Sequence, residues 1–366
     1  MSTVPFSSRR EVLDLFQARL ENTHQSLLED LELEFGQNML KTYLIETNIT
    51  VDELLDSYDA IDGVNEVDAD LYFLHLVGDY GTGGVFLDTL DKRFWALYSM
   101  EDSKFTGQAV SDMLAREGSG LDRMWLPGDH VESIADMGDF EGIGLTYDAD
   151  DVFPEEFIQE HLLFGDLSVN TSGHGASRLY SLLKDSDDIE KFLSLSNVQI
   201  RREVGGEFVR ERVTNEGAFT TRSGSNIELH IETVNQIKQE YKKTLDGIEA
   251  NHIVGSNPQE TSVRAEGTPA VIEFSEAVDD IEIFLKHVVD ARDPFRLWGH
   301  IDRLQEGYYK VDGVDMHNGD KFSMEMTNDW IRLYLYEGAC GNTVLRIFTN
   351  LQHYYDPSAR LVIDDV

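Results

Sequence analysis

The stretch FRLWGHIDRLQEGYYKVDGVDMHNGDKFSMEMTNDWIRLYLY, residues 295–336, carries the reading of the fold. Four runs in it, Phe295–Ile301, Tyr308–Val314, Phe322–Met326 and Trp330–Tyr336, alternate apolar with polar residues, the period of a half-buried strand. Between the second and third, His317-Asn318-Gly319-Asp320 carries the Asn-Gly pair of a tight hairpin turn. A helical stripe of Val278, Ile281, Leu285, Val288 and Val289 precedes the strands, and another of Val344, Phe348, Leu351 and Tyr355 follows them. Val271–Phe274 opens this region as a strand and Leu361–Ile363 closes it. The local order is helix, four meandering strands, helix.

Working upstream, the same order returns. Phe153–Phe164 and Ala176–Phe192 read as helices split by a loop, Ser168–Gly175. Strand-like runs follow at Val198–Arg202, Phe208–Val213, Ala218–Arg222 and Ile227–Ile231, with Asn215-Glu216-Gly217 as a hairpin turn. A long helix then shows Val234, Ile237, Tyr241, Leu245 and Ile248 at 3.6-residue spacing. Ile253–Pro269 holds Gly255, Ser256, Asn257, Pro258 and Gly267 with few apolar residues and reads as a linker. Nearer the N-terminus, residues 9–58 read as helical through Leu13, Phe16, Leu20, Leu27 and Leu31. Strands are expected at Leu71–Val77, Val85–Asp88 and Phe94–Tyr98, with Gly81-Thr82-Gly83-Gly84 as a turn. Phe105–Glu117 reads as a helix, and Trp125-Leu126-Pro127 ends a short strand.

The fold class is therefore α+β: antiparallel meander sheets flanked by helices, in three α-β(3–4)-α repeats, the first the loosest. The corresponding boundaries are a helical segment over 1–60 and repeats over 61–135, 136–252 and 270–366, with a linker over 253–269. The order of helix, four antiparallel strands and helix is similar to the half-repeat of TATA-binding-protein-like and helix-grip folds, a resemblance of topology that rests on no shared motif.

Composition bounds the function. Sixty-nine Asp and Glu stand against thirty Lys and Arg, a net charge of −39 on 366 residues. With 41% hydrophobic and 10% aromatic residues the chain can bury a core, so it is not an acidic disordered tail. Such a charge pushes a compact state apart at ordinary ionic strength, whereas in molar salt the Debye length falls to about 3 Å. Eleven Lys against nineteen Arg fit the same reading, a protein of a salt-rich, haloarchaeal cytoplasm. No secretory signal and no membrane-spanning run is recognisable. The global charge disfavours nucleic acid as a partner. A single cysteine, Cys340, excludes an internal disulfide and any multi-cysteine zinc site.

Against this background a few places stand out. Residues 201–222 hold Arg201, Arg202, Arg210, Arg212 and Arg222 against four glutamates, nearly neutral within an acidic chain. Alternation puts Arg210 and Arg212 on one strand face. It likewise puts Arg296, Trp298 and His300 on one face in the last meander. The sequence thus points to a non-enzymatic binding protein whose sheet faces hold a partner protein or a small anionic ligand through Arg210, Arg212, Arg222, Arg296, Trp298 and His300. Two alternatives stand beside it. An enzyme would use Cys340, before the last helix with His317 and His353 nearby, or the small-residue loop with Ser172, Gly173, His174 and Arg178, which could cradle an anion unless Thr171 or Ser172 simply caps the helix. A DNA-contacting regulator would use the arginines. No metal site is expected: Asp148-Ala149-Asp150-Asp151 lacks a calcium-loop spacing and reads as solvated surface. His24, His75 and His230 stand alone and read as packed or solvated. No motif calls for a cofactor.

Overall fold

The computed structural model of the protein describes residues 6–28, 39–116, 118–162, 165–173, 175–186, 194–259 and 262–363, with backbone alone over 24–28, 256–259 and 262–266. Contacts divide the chain into two units built from interleaved segments. The first comprises residues 1–124, 133–141 and 198–239, and the second 125–132, 142–197 and 240–366.

Unit 1 is organised by a sheet whose strands lie in the order β2-β3-β4-β5-β1-β11-β10-β9. These are β1 (Leu40–Thr47), β2 (Ile61–Asp68), β3 (Leu71–Gly78), β4 (Gly81–Asp88), β5 (Phe94–Ser99), β9 (Leu195–Val204), β10 (Glu207–Thr214) and β11 (Ala218–Gly224). A short β6 (Leu121–Arg123) also pairs with β1. The pairings from β2 through β5 and β1 to β11 and β10 are antiparallel, as expected of meanders. Helix α1 (Arg9–Leu28) and the first half of α7 (Ile227–His252) lie on one face, where Val12, Phe16, Leu20, Val234 and Ile237 are buried. On the other face α2 (Val51–Ser57) and α3 (Ser103–Leu114) close over Ile45, Leu74, Val85, Trp95 and Leu97. Each such large side chain contributes about 1.5–3 kcal/mol by leaving water.

The helix read across 9–58 is interrupted by β1, the central strand. Seven of its eight residues are buried, because helices cover both of its faces. A strand buried on both faces loses the polar alternation that identifies a strand. Three other local readings also change. The expected loop Ser168–Gly175 is strand as far as Ser172. Gly81-Thr82-Gly83-Gly84 lies inside β4, and the turn is at Asp79-Tyr80. Ile227–Ile231 is the start of α7, whose first turn is capped by Asn226 Oδ1 accepting the Glu228 N–H at 2.8 Å. The expected stripe Val234, Ile237, Tyr241, Leu245 and Ile248 is buried along that helix.

Unit 2 contains the meander from which the reading began. Its strands β15 (Leu297–Gln305), β16 (Tyr308–Asp315), β17 (Lys321–Met326) and β18 (Trp330–Tyr336) pair in sequence order. Gly319, at φ +83°, makes the turn between β16 and β17. Beyond β18 lie β14 (Ala270–Glu273), antiparallel, and β12 (Ile253–Gln259), parallel to it. The stretch read as a linker thus holds a β-hairpin, β12 with β13 (Ser262–Glu266). Strand β19 (Arg360–Val362) adds to β14. A second hairpin pairs β7 (Asp139–Asp148) with β8 (Asp166–Ser172) from Gly142 to Asp148. Helices α4 (Gly128–Ala135), α5 (Glu155–His161), α6 (Ala176–Lys184), α8 (Ile281–Val288) and α9 (Asn342–Tyr354) complete the described elements.

Helix α9 is buried on every side from Asn342 to Gln352. It therefore carries a polar network inside the core. Arg346, fully buried, pairs with Asp315 at 2.5 Å and donates from Nε to the Phe295 carbonyl at 3.0 Å. Asp315 also accepts the Thr343 hydroxyl at 2.5 Å and the His317 N–H at 2.9 Å. The α+β class and the antiparallel meanders flanked by helices are what the structure contains. Among the described residues the order helix, three or four strands, helix is found in α2-β2-β3-β4-β5-α3, in α6-β9-β10-β11-α7 and in α8-β15-β16-β17-β18-α9.

Candidate functional site

The arginine island forms a side-chain cluster on the face of β9, β10 and β11 that turns away from α1 and α7. Along β10 the buried residues Val209, Glu211 and Val213 point to the helices, so Arg210 and Arg212 point the other way. Arg222 of β11 shares that outer face and reaches across β10 to donate to Gln199 Oε1 of β9 at 2.8 Å. Arg210 pairs with Glu141 at 3.1 Å. Arg212 and Arg222 are half-buried, and burial holds both below the ordinary guanidinium pKa. For Arg212 the neighbouring Arg222 lowers it further, whereas for Arg222 Glu141 pulls the other way. Arg201 lies over the Phe208 ring, 4.7 Å from its centroid, and pairs with Glu203 at 2.7 Å. Arg202 instead faces α7, donating to Thr233 at 3.2 Å. Arg210 and Arg222 therefore share the neighbourhood of Glu141, and Arg212 that of Arg222, in a chain of net charge −39.

The other three expected binding residues lie in unit 2 and do not act together. Trp298, 56% exposed, and His300 share the outer face of the edge strand β15, with Asp302 3.3 Å from the His300 ring. Arg296 precedes that strand in a left-handed backbone conformation, φ +54°, and its side chain is buried. Its N–H donates to the Arg292 carbonyl at 2.8 Å and its carbonyl accepts from Met316 at 2.9 Å, so it belongs to the turn and not to the strand alternation. Farther along the outer face, Arg332 covers the Trp330 ring at 4.2 Å and Tyr334 donates to Glu325 at 2.9 Å.

The enzymatic candidates are placed less favourably. Cys340 is buried, and a ring nitrogen of buried His317 lies within 4.8 Å of its sulfur. The N–H groups that could steady a thiolate are engaged: Cys340 N–H donates to Asp320 and Gly341 N–H to Glu249, each at 3.0 Å. Ser172 ends β8 and is exposed, as are Gly173 and Arg178, while His174 lies outside the described residues. The cap of α6 is Gly175, with no side-chain hydrogen bond, so neither Thr171 nor Ser172 plays the capping role their sequence allows. Asp148 sits 3.6 Å from His353, and partial burial raises its carboxyl pKa.

A further constellation escaped sequence reasoning. In unit 1 His230 contacts the carboxylate of Glu211 through Nδ1, and its Nε2 lies 2.8 Å from Thr42 Oγ1. Thr221 adds a hydroxyl 3.3 Å from Nδ1. Carboxylate, imidazole and hydroxyl stand in the order of a hydrolytic triad. All are fully buried beneath α1 and α7, which gives a substrate no approach, so the group serves the packing of α7 on the sheet. The only hint was His230 itself, one turn into a helix whose start looked like a strand.

Over residues 1–366 the chain matches the family model of the MJECL33-like protein, and it belongs to that family. A relative from Methanocaldococcus jannaschii, named uncharacterized protein MJECL33, is 27% identical over 401 residues, covering 99% of this chain and 96% of its own. No solved structure matches the chain. Among the described residues no helix is long and apolar enough to cross a membrane.

Proposed function

We propose that this member of the MJECL33-like family is a binding protein that holds a small polyanion, a phosphate or polycarboxylate, on the arginine face of β9–β11. One observation carries the reading. Arg212 and Arg222 share the outer face, half-buried, and burial, reinforced by the charge of Arg222, lowers the pKa of Arg212. Keeping like charges together costs free energy that a bound anion recovers, and planar guanidinium forks suit phosphate and carboxylate oxygens. The acidity of the rest of the chain supports a setting in a salt-rich cytoplasm.

Inorganic pyrophosphate, titrated calorimetrically into the full chain in 1 M KCl, tests this. Binding is expected, and Arg212→Gln with Arg222→Gln should weaken it at least ten-fold, since each charge-assisted hydrogen bond contributes about 1.5–3 kcal/mol. No heat, or equal affinity in the double variant, refutes the proposal. Preference for a 20-base-pair duplex over pyrophosphate would transfer the arginines to a DNA-contacting role. A second reading, a partner protein on the outer face of β15–β18, is favoured by exposed Trp298 and Tyr336. Trp298→Ala should then lose a partner recovered by pull-down in high salt, and unchanged recovery sinks that choice of face.

A further inference from the structure

On the opposite side of the unit 1 sheet a cavity of about 390 Å³ opens against α1 and α7. The register Leu44↔Ala96 and Thr42↔Tyr98 sets Leu44, Ala96 and Tyr98 side by side as its floor. Phe16 of α1 and Val234 of α7 supply walls. That volume falls in the range of small-molecule sites, which combine apolar walls with a few placed polar groups.

Two features define what fits. At the rim, the Arg9 guanidinium is bound to the Asp88 carboxylate, and Lys238 Nζ lies 3.6 Å from Asp91. The cations at the mouth already face anions, so the rim is electrically balanced and gives a charged head group little reason to settle. Within, Tyr98 is 7% exposed, its ring packed on Phe16 at 5.4 Å between centroids. Its hydroxyl has no hydrogen-bond partner among the described residues. Burial and the Asp88 charge raise its pKa, which keeps it protonated and a donor. The hydroxyl is not among the fully enclosed polar atoms left without a partner, so it opens on the cavity, where an acceptor on a ligand can take its hydrogen bond in place of water.

We propose that this cavity binds a small uncharged, largely apolar molecule that offers one oxygen acceptor, a carbonyl or ether, to the Tyr98 hydroxyl. The site is independent of the arginine face, on the other side of the sheet. The neutral fluorophore 6-propionyl-2-(dimethylamino)naphthalene, an apolar aromatic ketone, is the probe. Titrated with the full chain, it should show saturable one-to-one binding with blue-shifted emission. Tyr98→Phe, which keeps the ring, should weaken binding about two- to ten-fold, the reach of one net hydrogen bond. Val234→Trp fills the cavity from the helix and Ala96→Leu from the sheet. Either, once circular dichroism shows it folded, should abolish saturable binding. The proposal is overturned by an absence of saturable binding to the wild type, by undiminished binding in a folded cavity-filling variant, or by unchanged affinity in Tyr98→Phe.

Discussion

Replacing His230 by Phe isolates the energetics of the buried Glu211–His230–Thr42 group. In the native structure His230 is 0% and Glu211 1% exposed, and Glu211 Oε2 has no hydrogen-bond partner among the described residues. The imidazole therefore answers for most of the carboxylate's compensation, with Thr221 assisting at 3.5 Å. Removing one partner of a buried pair costs about 3–5 kcal/mol, because the polar group left behind stays out of water without its partner. The Thr42 hydroxyl, fully buried, also loses its contact, so the upper half of that range, about 4–5 kcal/mol, is expected. With a urea dependence of about 1–3 kcal/mol per molar, the unfolding midpoint should fall by more than about 1 M. Replacing both partners, Glu211→Leu with His230→Phe, removes the orphaned carboxyl group as well and should recover all but about 1–2 kcal/mol, since well-packed apolar replacements of buried pairs are often neutral. Urea titrations followed by circular dichroism on wild type, both single variants and the double variant complete the cycle. Costs that add without coupling, or a His230→Phe cost below about 1 kcal/mol, would refute the reasoning.

In unit 2, Arg346→Met should cost about 3–5 kcal/mol by stranding Asp315, and adding Asp315→Asn should cost less than the two single changes summed; the same urea cycle measures it. His130 gives a pH signature. Its ring lies 3.2 Å from the Thr244 hydroxyl, and burial depresses its pKa, with Glu240 and Asp129 opposing. Below the unfolded value of about 6.5 the unfolded chain takes up a proton that the native state resists. The stabilisation is therefore complete above that pH and lost as pH falls through the folded value. Wild type should lose stability relative to His130→Gln between pH 7 and pH 5, and parallel profiles would contradict the assignment.

What the sequence exposed and what it hid follow from burial. The meander 295–336 was legible because each strand shows water on one face and core on the other, and Asn318-Gly319 marks its turn. β1 was not, because burial of both faces hides its polar residues Lys41, Thr42, Glu46 and Thr47 together with its apolar ones, and no face alternates. At Ile227–Ile231 the pattern Ile-Glu-Leu-His-Ile does alternate, yet Ile227, Leu229 and His230 are all buried, an arrangement that suits a helix and not a strand. Asn226 was the cap signal that outranks the alternation. For the candidate sites, strand parity located Arg210 and Arg212 on one face, since parity is a local property, whereas Arg222 joins them from a neighbouring strand across a register shift. Parity failed at Arg296 because a turn, fixed by its hydrogen bonds to Arg292 and Met316, replaces the strand there. The cavity at Tyr98 had no local signature, because its floor joins residues more than fifty positions apart and its walls come from two helices still farther separated.

The charge of −39 bears on how the arginine face responds to salt. A pyrophosphate approaching it meets attraction from guanidinium groups in direct contact and repulsion from carboxylates spread over the chain. The Debye length is about 10 Å at 0.1 M and about 3 Å at 1 M. Raising KCl across that interval therefore removes repulsion arising several ångströms away, while contacts with half-buried Arg212 and Arg222 are screened much less. Affinity for pyrophosphate should hold or rise from 0.1 to 1 M KCl. A surface that binds nucleic acid by releasing counterions behaves oppositely, losing affinity steeply along a log–log line. The uncharged probe of the Tyr98 cavity has no such electrostatic dependence, so the two sites separate in one salt series. A pyrophosphate affinity that falls ten-fold or more over the interval would mean that exposed ion exchange governs binding, and the half-buried pair would lose its role.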